Sequence, residues 1–169
     1  MQFIDLHLQY QSIKIDIDSA ISGVIENSSF IGGTHVEKFE ESYAQTLGVK
    51  HCVSCGNGTD ALYLALRTLG VQSGDEVITT AHSWISTSET ISQAGGNVVF
   101  CDTEPDYFCI DPEKIEQHIT PRTKGIVVVH LYGQSADMKR ITEIALRRNL
   151  WVIEDCAQAH LAQYNGQYA

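Results

Sequence analysis

Apolar residues recur at Ile13, Ile17, Ile21, Val24 and Ile25, the spacing that lines one side of an α-helix, and again at Val36, Phe39, Tyr43 and Leu47. Gly48 follows the second stretch, as a helix-terminating glycine should. From residue 51 the pattern changes, and short β-branched runs alternate with helical periodicity. Val53 within HCVSC predicts a strand over 52–55, followed by a helix over 59–69. Val77–Thr80 predicts the next strand, with a helix from about 87 to 94, and Val98–Cys101 the third, with a segment opened by Asp111-Pro112. Gly125–Val129 precedes a helix ending at Arg148, and Trp151–Asp155 closes the series. Strands this apolar are buried on both faces. Their alternation with helices predicts an α/β fold, a three-layer α/β/α arrangement around a mostly parallel sheet. No repeat, low-complexity stretch or linker interrupts it, so residues 1–169 read as one domain.

The chain has 169 residues and sets 11 Lys+Arg against 21 Asp+Glu, a formal net charge of −10. At this length a chain buries roughly 70% of its unfolded surface, enough for a core without disulfide or metal support. The acidic balance argues against nucleic acid as a partner and against an anionic membrane surface. The start, MQFIDLHLQYQSIK, has no basic region followed by an apolar run, and nothing approaches 18 consecutive apolar residues. A soluble, cytoplasmic protein is the expectation. Five irregularly spaced cysteines fit reduced thiols.

In an open parallel sheet ligands bind beyond the carboxyl ends of the strands. Gly56-Asn57-Gly58-Thr59-Asp60 opens a helix there, whose unpaired N–H groups and positive dipole end suit a phosphate. An ordinary N-cap with glycines serving the turn fits the same residues. The run also matches the loose dinucleotide fingerprint, but the acids that would hold a ribose, Asp75 and Glu76, precede VITT and lie at the wrong end of that strand. Trp84, just past the same strand, is either a stacking platform or a packing residue. His130 follows the next-to-last strand and is given no role. Asp155 ends the last strand, where a carboxylate serves as an N-cap, a metal ligand or the partner of a cationic ring nitrogen. Metal binding is the weakest of the three, since no further ligands stand at regular spacing, and no metal site is expected. Cys52-x-x-Cys55 has no second pair, and within a strand its members face opposite ways. There is neither a Gly-x-Ser-x-Gly elbow nor a P-loop. A phosphate cup, an aromatic platform and a strand-end carboxylate on one sheet edge are the fixtures that pyridoxal 5'-phosphate needs.

The motifs FIGG (30–33), VEKFEESYA (36–44), GNGTDAL (56–62), GDEVI (74–78), WISTSET (84–90), HLYGQ (130–134) and EDCAQAH (154–160) together resemble the amino-terminal portion of the DegT/DnrJ/StrS sugar-nucleotide aminotransferases, enzymes of the type I pyridoxal phosphate fold. The resemblance implies that the chain is the incomplete large domain. It implies that Gly58, Thr59 and Asp60 hold the cofactor phosphate through backbone amides and the threonine hydroxyl. Trp84 would stack on the ring, Asp155 pair with the pyridine nitrogen, and Gln158 lie on the ring hydroxyl side. It further implies a homodimer that moves an amino group, usually from glutamate, onto a nucleotide-linked keto-sugar for amino-sugar and polysaccharide synthesis. The family's cofactor-bonding lysine falls beyond the segment matching Asp155–Ala169, and Lys14, Lys38, Lys50, Lys114, Lys124 and Lys139 do not match it. The chain is therefore expected to contain no catalytic residue of its own, to lack the small carboxyl-terminal domain and to be a partial sequence, aggregation-prone through unpaired strand edges. Two other functions fit the residues: a sugar dehydratase of the same family, with histidine in place of the lysine, and a non-catalytic phosphate- or nucleotide-binding module.

Overall fold

The computed structural model describes residues 4–169. They form two compact units, one running through Ser54 and the other Cys55–Ala169. No change of composition marks the boundary.

The first unit holds α1 (Leu6–Glu26) and α2 (Thr34–Leu47). Asp5 caps α1 by accepting the Leu8 amide at 2.9 Å, and Gly48 ends α2 in the left-handed conformation at φ 70. No residue of α1 is buried. The strand expected at 52–55 does not form. The Ser54 amide and hydroxyl both donate to Glu40 Oε1, at 2.7 and 2.6 Å, so a side chain takes the place of a ladder partner. Among the described residues no strand lies beside this segment. The opposite-facing geometry assumed for Cys52 and Cys55 therefore has no strand to rest on, and both thiols are free.

The second unit carries α3 (Gly58–Thr68), β1 (Glu76–Thr80), α4 (Ser86–Gln93), β2 (Asn97–Cys101), α5 (Pro112–Ile115), β3 (Thr123–Val129), α6 (Met138–Arg148) and β4 (Trp151–Asp155). A short antiparallel hairpin, β5 (Gln163–Tyr164) with β6 (Gln167–Tyr168), follows. The sheet runs β2-β1-β3-β4 with every pairing parallel. Successive residues alternate between two cores, as the twofold period of a strand requires. Val77 and Val127 pack with Leu62, Leu66 and Ile91 under α3 and α4. Ile78, Ile126 and Val128 pack with Ile141, Ile144 and Ala145 under α6. Both faces of the central strands β1 and β3 are covered, while the edge strands β2 and β4 stay partly exposed.

One close approach sets how β3 and β4 meet. The Trp151 ring lies on Gly125, its register partner, so that a Cβ added at Gly125 would sit 2.1 Å from ring carbons. Gly125→Ala is expected to destabilise the chain by about 2–3 kcal/mol, read as a lower urea midpoint, because the ring must leave its rotamer or the strands must part.

At the opposite end of the sheet Glu76 is 6% exposed. It accepts hydrogen bonds from the Thr120 hydroxyl and from Arg122 Nε at 2.9 Å. The Thr120 bond foremost, then Arg122, holds its carboxyl below the usual 4.5. A depressed folded value stabilises the fold above pH 4.5 and loses that contribution as pH falls below it. Unfolding midpoints measured against pH are expected to show Glu76→Gln less stable than the parent at neutral pH, with the gap closing below pH 4.5.

Candidate functional site

Because the strands are parallel, their carboxyl ends, Thr80, Cys101, Val129 and Asp155, share one edge. The chain leaves β1 for β2 on one side, then passes back to β3 on the other. The order reverses between β1 and β3, where an open α/β sheet presents its ligand crevice. The β1–β3 ladder covers only Glu76, Val77 and Ile78 of β1, whereas β1–β2 and β3–β4 stay paired through Thr80 and Asp155. Past Ile78 the Thr79 hydroxyl donates to the Val127 carbonyl at 2.9 Å instead.

On the α3–α4 side of this edge Asn57, in extended conformation, is the cap of α3. Its Oδ1 accepts the Asp60 amide at 2.9 Å and its Nδ2 donates to the Asp60 carboxylate at 3.0 Å. The capping reading of this loop is thus met by Asn57, and the Asp60 amide is engaged. The amides of Gly58 and Thr59 have no acceptor within the helix. The Thr59 hydroxyl shares a 2.8 Å hydrogen bond with that of Ser86, the first residue of α4. The next residue, Thr87, donates to Asp155 Oδ2 at 3.4 Å, while Ala157 N–H donates to Oδ1 at 3.1 Å. Two consecutive residues of α4 therefore bring the start of α3 and the end of β4 into one site. Neither Ser86 nor Thr87 is singled out by the sequence, where 27 residues separate Thr59 from Ser86 and 68 separate Thr87 from Asp155.

Trp84, two residues before α4, is 75% exposed, so packing does not account for its ring. Gln158 accepts the Tyr132 amide through Oε1 at 2.9 Å, leaving its Nε2 as a donor. Burial, reinforced by the neighbouring Glu154 and Asp155 carboxylates, pushes the Cys156 thiol up to about 11, so it stays protonated and unreactive at neutral pH. His130 is fully buried and structural. Its Nδ1 accepts the Ala136 amide at 3.1 Å, which places the ring proton on Nε2, 2.9 Å from Glu154 Oε2. Asp75 and Glu76 sit at the amino end of β1, away from this edge.

Residues 11–169 match the model of the DegT/DnrJ/EryC1/StrS aminotransferase family. The chain belongs to that family. It is 47% identical over 164 residues to a pleiotropic regulatory protein of Geobacillus stearothermophilus, covering 97% of this chain and 44% of that one. It is 43% identical to the UDP-2-acetamido-2-deoxy-3-oxo-D-glucuronate aminotransferase of Pseudomonas aeruginosa, covering 99% of this chain and 46% of the enzyme. Among solved structures, S. venezuelae DesV in complex with a ketimine intermediate superposes with a TM-score of 0.97 at 39% identity, over 99% of this chain and 45% of DesV. Bacillus subtilis NtdA with bound cofactor PMP gives 0.89 at 39% identity, over 94% of this chain and 36% of NtdA. The chain thus spans less than half the length of these members of its family, and its fold is that of their amino-terminal part.

The edge depends on His130 being in place. His130→Leu keeps the volume but strands the Ala136 N–H and uncouples Glu154, and is expected to cost about 2–3 kcal/mol in urea unfolding.

Proposed function

We propose that this chain is the amino-terminal part of the large, cofactor-binding domain of a pyridoxal phosphate-dependent aminotransferase. The full-length protein would act as a cytoplasmic homodimer that moves an amino group from an amino acid, glutamate first among donors, onto a nucleotide-linked keto-sugar. The observation that carries the reading is Gly58. Its φ is not positive, and a Cβ built there meets no atom within 4 Å, so neither backbone nor packing requires glycine. An anion brought against the Gly58 and Thr59 amides does require it.

The remaining residues fit the same group. The Thr59 and Ser86 hydroxyls, bonded to each other, leave one O–H to donate to the phosphate. The exposed Trp84 ring gains contact by lying against a planar heterocycle. Asp155, with one oxygen turned to Thr87 and the other to an amide, is a fixed carboxylate that would favour a protonated pyridine nitrogen. Gln158 offers Nε2 to the ring hydroxyl oxygen. When bound, the cofactor supplies the electron sink for the carbanion formed at the amino carbon. Across the whole reaction the sugar C=O becomes CH–NH2 while the donor CH–NH2 becomes C=O. The likeness to an aminotransferase of a UDP-linked 3-oxo sugar supports the substrate class. The exposed apolar residues of the first unit, Ile15 at 85% and Ile31 at 97%, support self-association. The acidic charge and free thiols support the cytoplasm.

Equilibrium dialysis of the chain against pyridoxal phosphate is expected to show saturable binding. Gly58→Ala should weaken it about tenfold while leaving stability equal or raised by about 0.5 kcal/mol. Asp155→Asn should lower affinity as well. Given glutamate and a panel of UDP- and dTDP-linked keto-sugars, the full-length protein should yield an amino sugar by mass spectrometry. A dehydrated sugar would assign the dehydratase function, and tighter binding of NAD than of pyridoxal phosphate, indifferent to Asp155→Asn, would overturn the reading.

A further inference from the structure

The carboxyl edge carries a group of rings that the cofactor-holding residues do not account for. His82 follows β1, Phe108 precedes α5, and Tyr132 follows β3. Their centroids stand 6.0 Å apart for His82–Tyr132, 6.1 Å for His82–Phe108 and 6.4 Å for Phe108–Tyr132. The Tyr132 hydroxyl and His82 Nε2 are hydrogen-bonded at 3.3 Å, joining the loops that follow β1 and β3. The cluster is exposed, Tyr132 at 68% and Phe108 at 47%. Both residues also occupy the left-handed region, at φ 57 and 63, where bulky side chains are rarely found. Such backbone is uncommon for bulky side chains and clusters at ligand sites, and the Tyr132 ring gains little burial in return. The Tyr132 amide is held by Gln158, which joins the rings to the cofactor-side residues. Beside His82 a cavity of about 340 Å³ opens between the ends of β1 and β2, lined also by Thr80, Phe100, Asp102 and Thr103.

We propose that His82, Phe108 and Tyr132 form a platform for the nucleobase of the substrate, a reading that rests on the nucleotide-sugar assignment above. Tyr132 stands at 66° to His82 and 82° to Phe108, edge to face, so the rings do not stack on one another. Any base has a π-face that can stack on such rings. In the adjoining cleft, which His82 alone of the three rings lines, Thr103 and Asp102 supply polar groups for its edge. The site favours a base over a phosphate, because the nearby Lys114 is already paired with Asp102 at 3.1 Å and Asp111 at 3.5 Å. A cleft of this volume suits a small ring, where a protein partner would need a broad flat surface.

Calorimetric titration of the chain with uridine 5'-monophosphate and with ribose 5-phosphate separates base from phosphate. Uridine monophosphate should bind at least about tenfold tighter, the range that stacking supplies. Tyr132→Asn, which tolerates the left-handed backbone, and Phe108→Asn should each remove most of that advantage, and Tyr132→Phe should keep it. Pyridoxal phosphate affinity of the same variants should stay at the parent's value, showing that the fold and the cofactor residues are intact. Equal affinity for the two phosphates, or a preference that survives both asparagine variants, overturns the platform. If pyridoxal phosphate still binds, the platform falls alone; if it fails to bind the parent chain, the nucleotide-sugar reading falls with it.

Discussion

The end of the β1–β3 ladder at Ile78 is the constraint on which the carboxyl edge depends. A parallel ladder satisfies its own amides and carbonyls as long as it continues. Here it stops short on one side of β1, while β1 remains paired to β2 as far as Thr80 and β3 to β4 as far as Asp155. Past the ladder the Thr79 hydroxyl donates to the Val127 carbonyl, a side-chain bond that continues to join the two strands. Beyond that point the loops after β1 and β3 are joined by the His82–Tyr132 bond.

The two faces of the sheet then serve different purposes at this edge. Under α6, Met138, Ile141 and Ile144 close a core with β1 and β3, and the chain entering α6 is tied down by the Ala136 amide on the buried His130. On the other face α4 is both a core helix, through Ile91, and the hinge of the site, through Ser86 and Thr87. Ser86 and Thr87 are themselves buried, with Thr90 one turn on, so the hydroxyls that meet Thr59 and Asp155 are positioned by core packing rather than by a loop. A polar network fixed in this way loses little side-chain freedom when a ligand arrives.

The strands were legible from their short runs of apolar and β-branched residues: Trp151–Asp155 stands where its run puts it, and Glu76–Thr80 differs by one residue. Segment 52–55 offers a single β-branched residue, Val53, and a strand also needs a neighbour; its amide at Ser54 finds Glu40 instead. Asp155 and Trp84 could be placed on the edge from the strand ends alone. The partners that organise them could not, because a hydroxyl on a helix 68 residues from its carboxylate leaves no periodic trace. Asn57 was hidden by the glycines around it, although an asparagine three residues before an aspartate at a helix start is a capping signal. The chemistry beyond the edge was legible only through the family resemblance, which the family match over residues 11–169 bears out.

Two glycines show how the structure distinguishes what the fold requires from what it leaves unexplained. Gly125 has a reason inside the protein: the Trp151 ring occupies the volume a side chain would take. Gly58 has none, since its backbone is accessible to any residue and its surroundings would admit a Cβ. Phe108 and Tyr132 are the converse case, bulky residues where the backbone favours glycine, with rings that stay partly exposed. A residue whose cost or restriction is repaid by its neighbours belongs to folding. At residues 58, 108 and 132 the second unit returns less, and the ligands proposed above would supply the rest. All three stand at loops and termini about the carboxyl edge, where the sheet's topology independently puts a ligand.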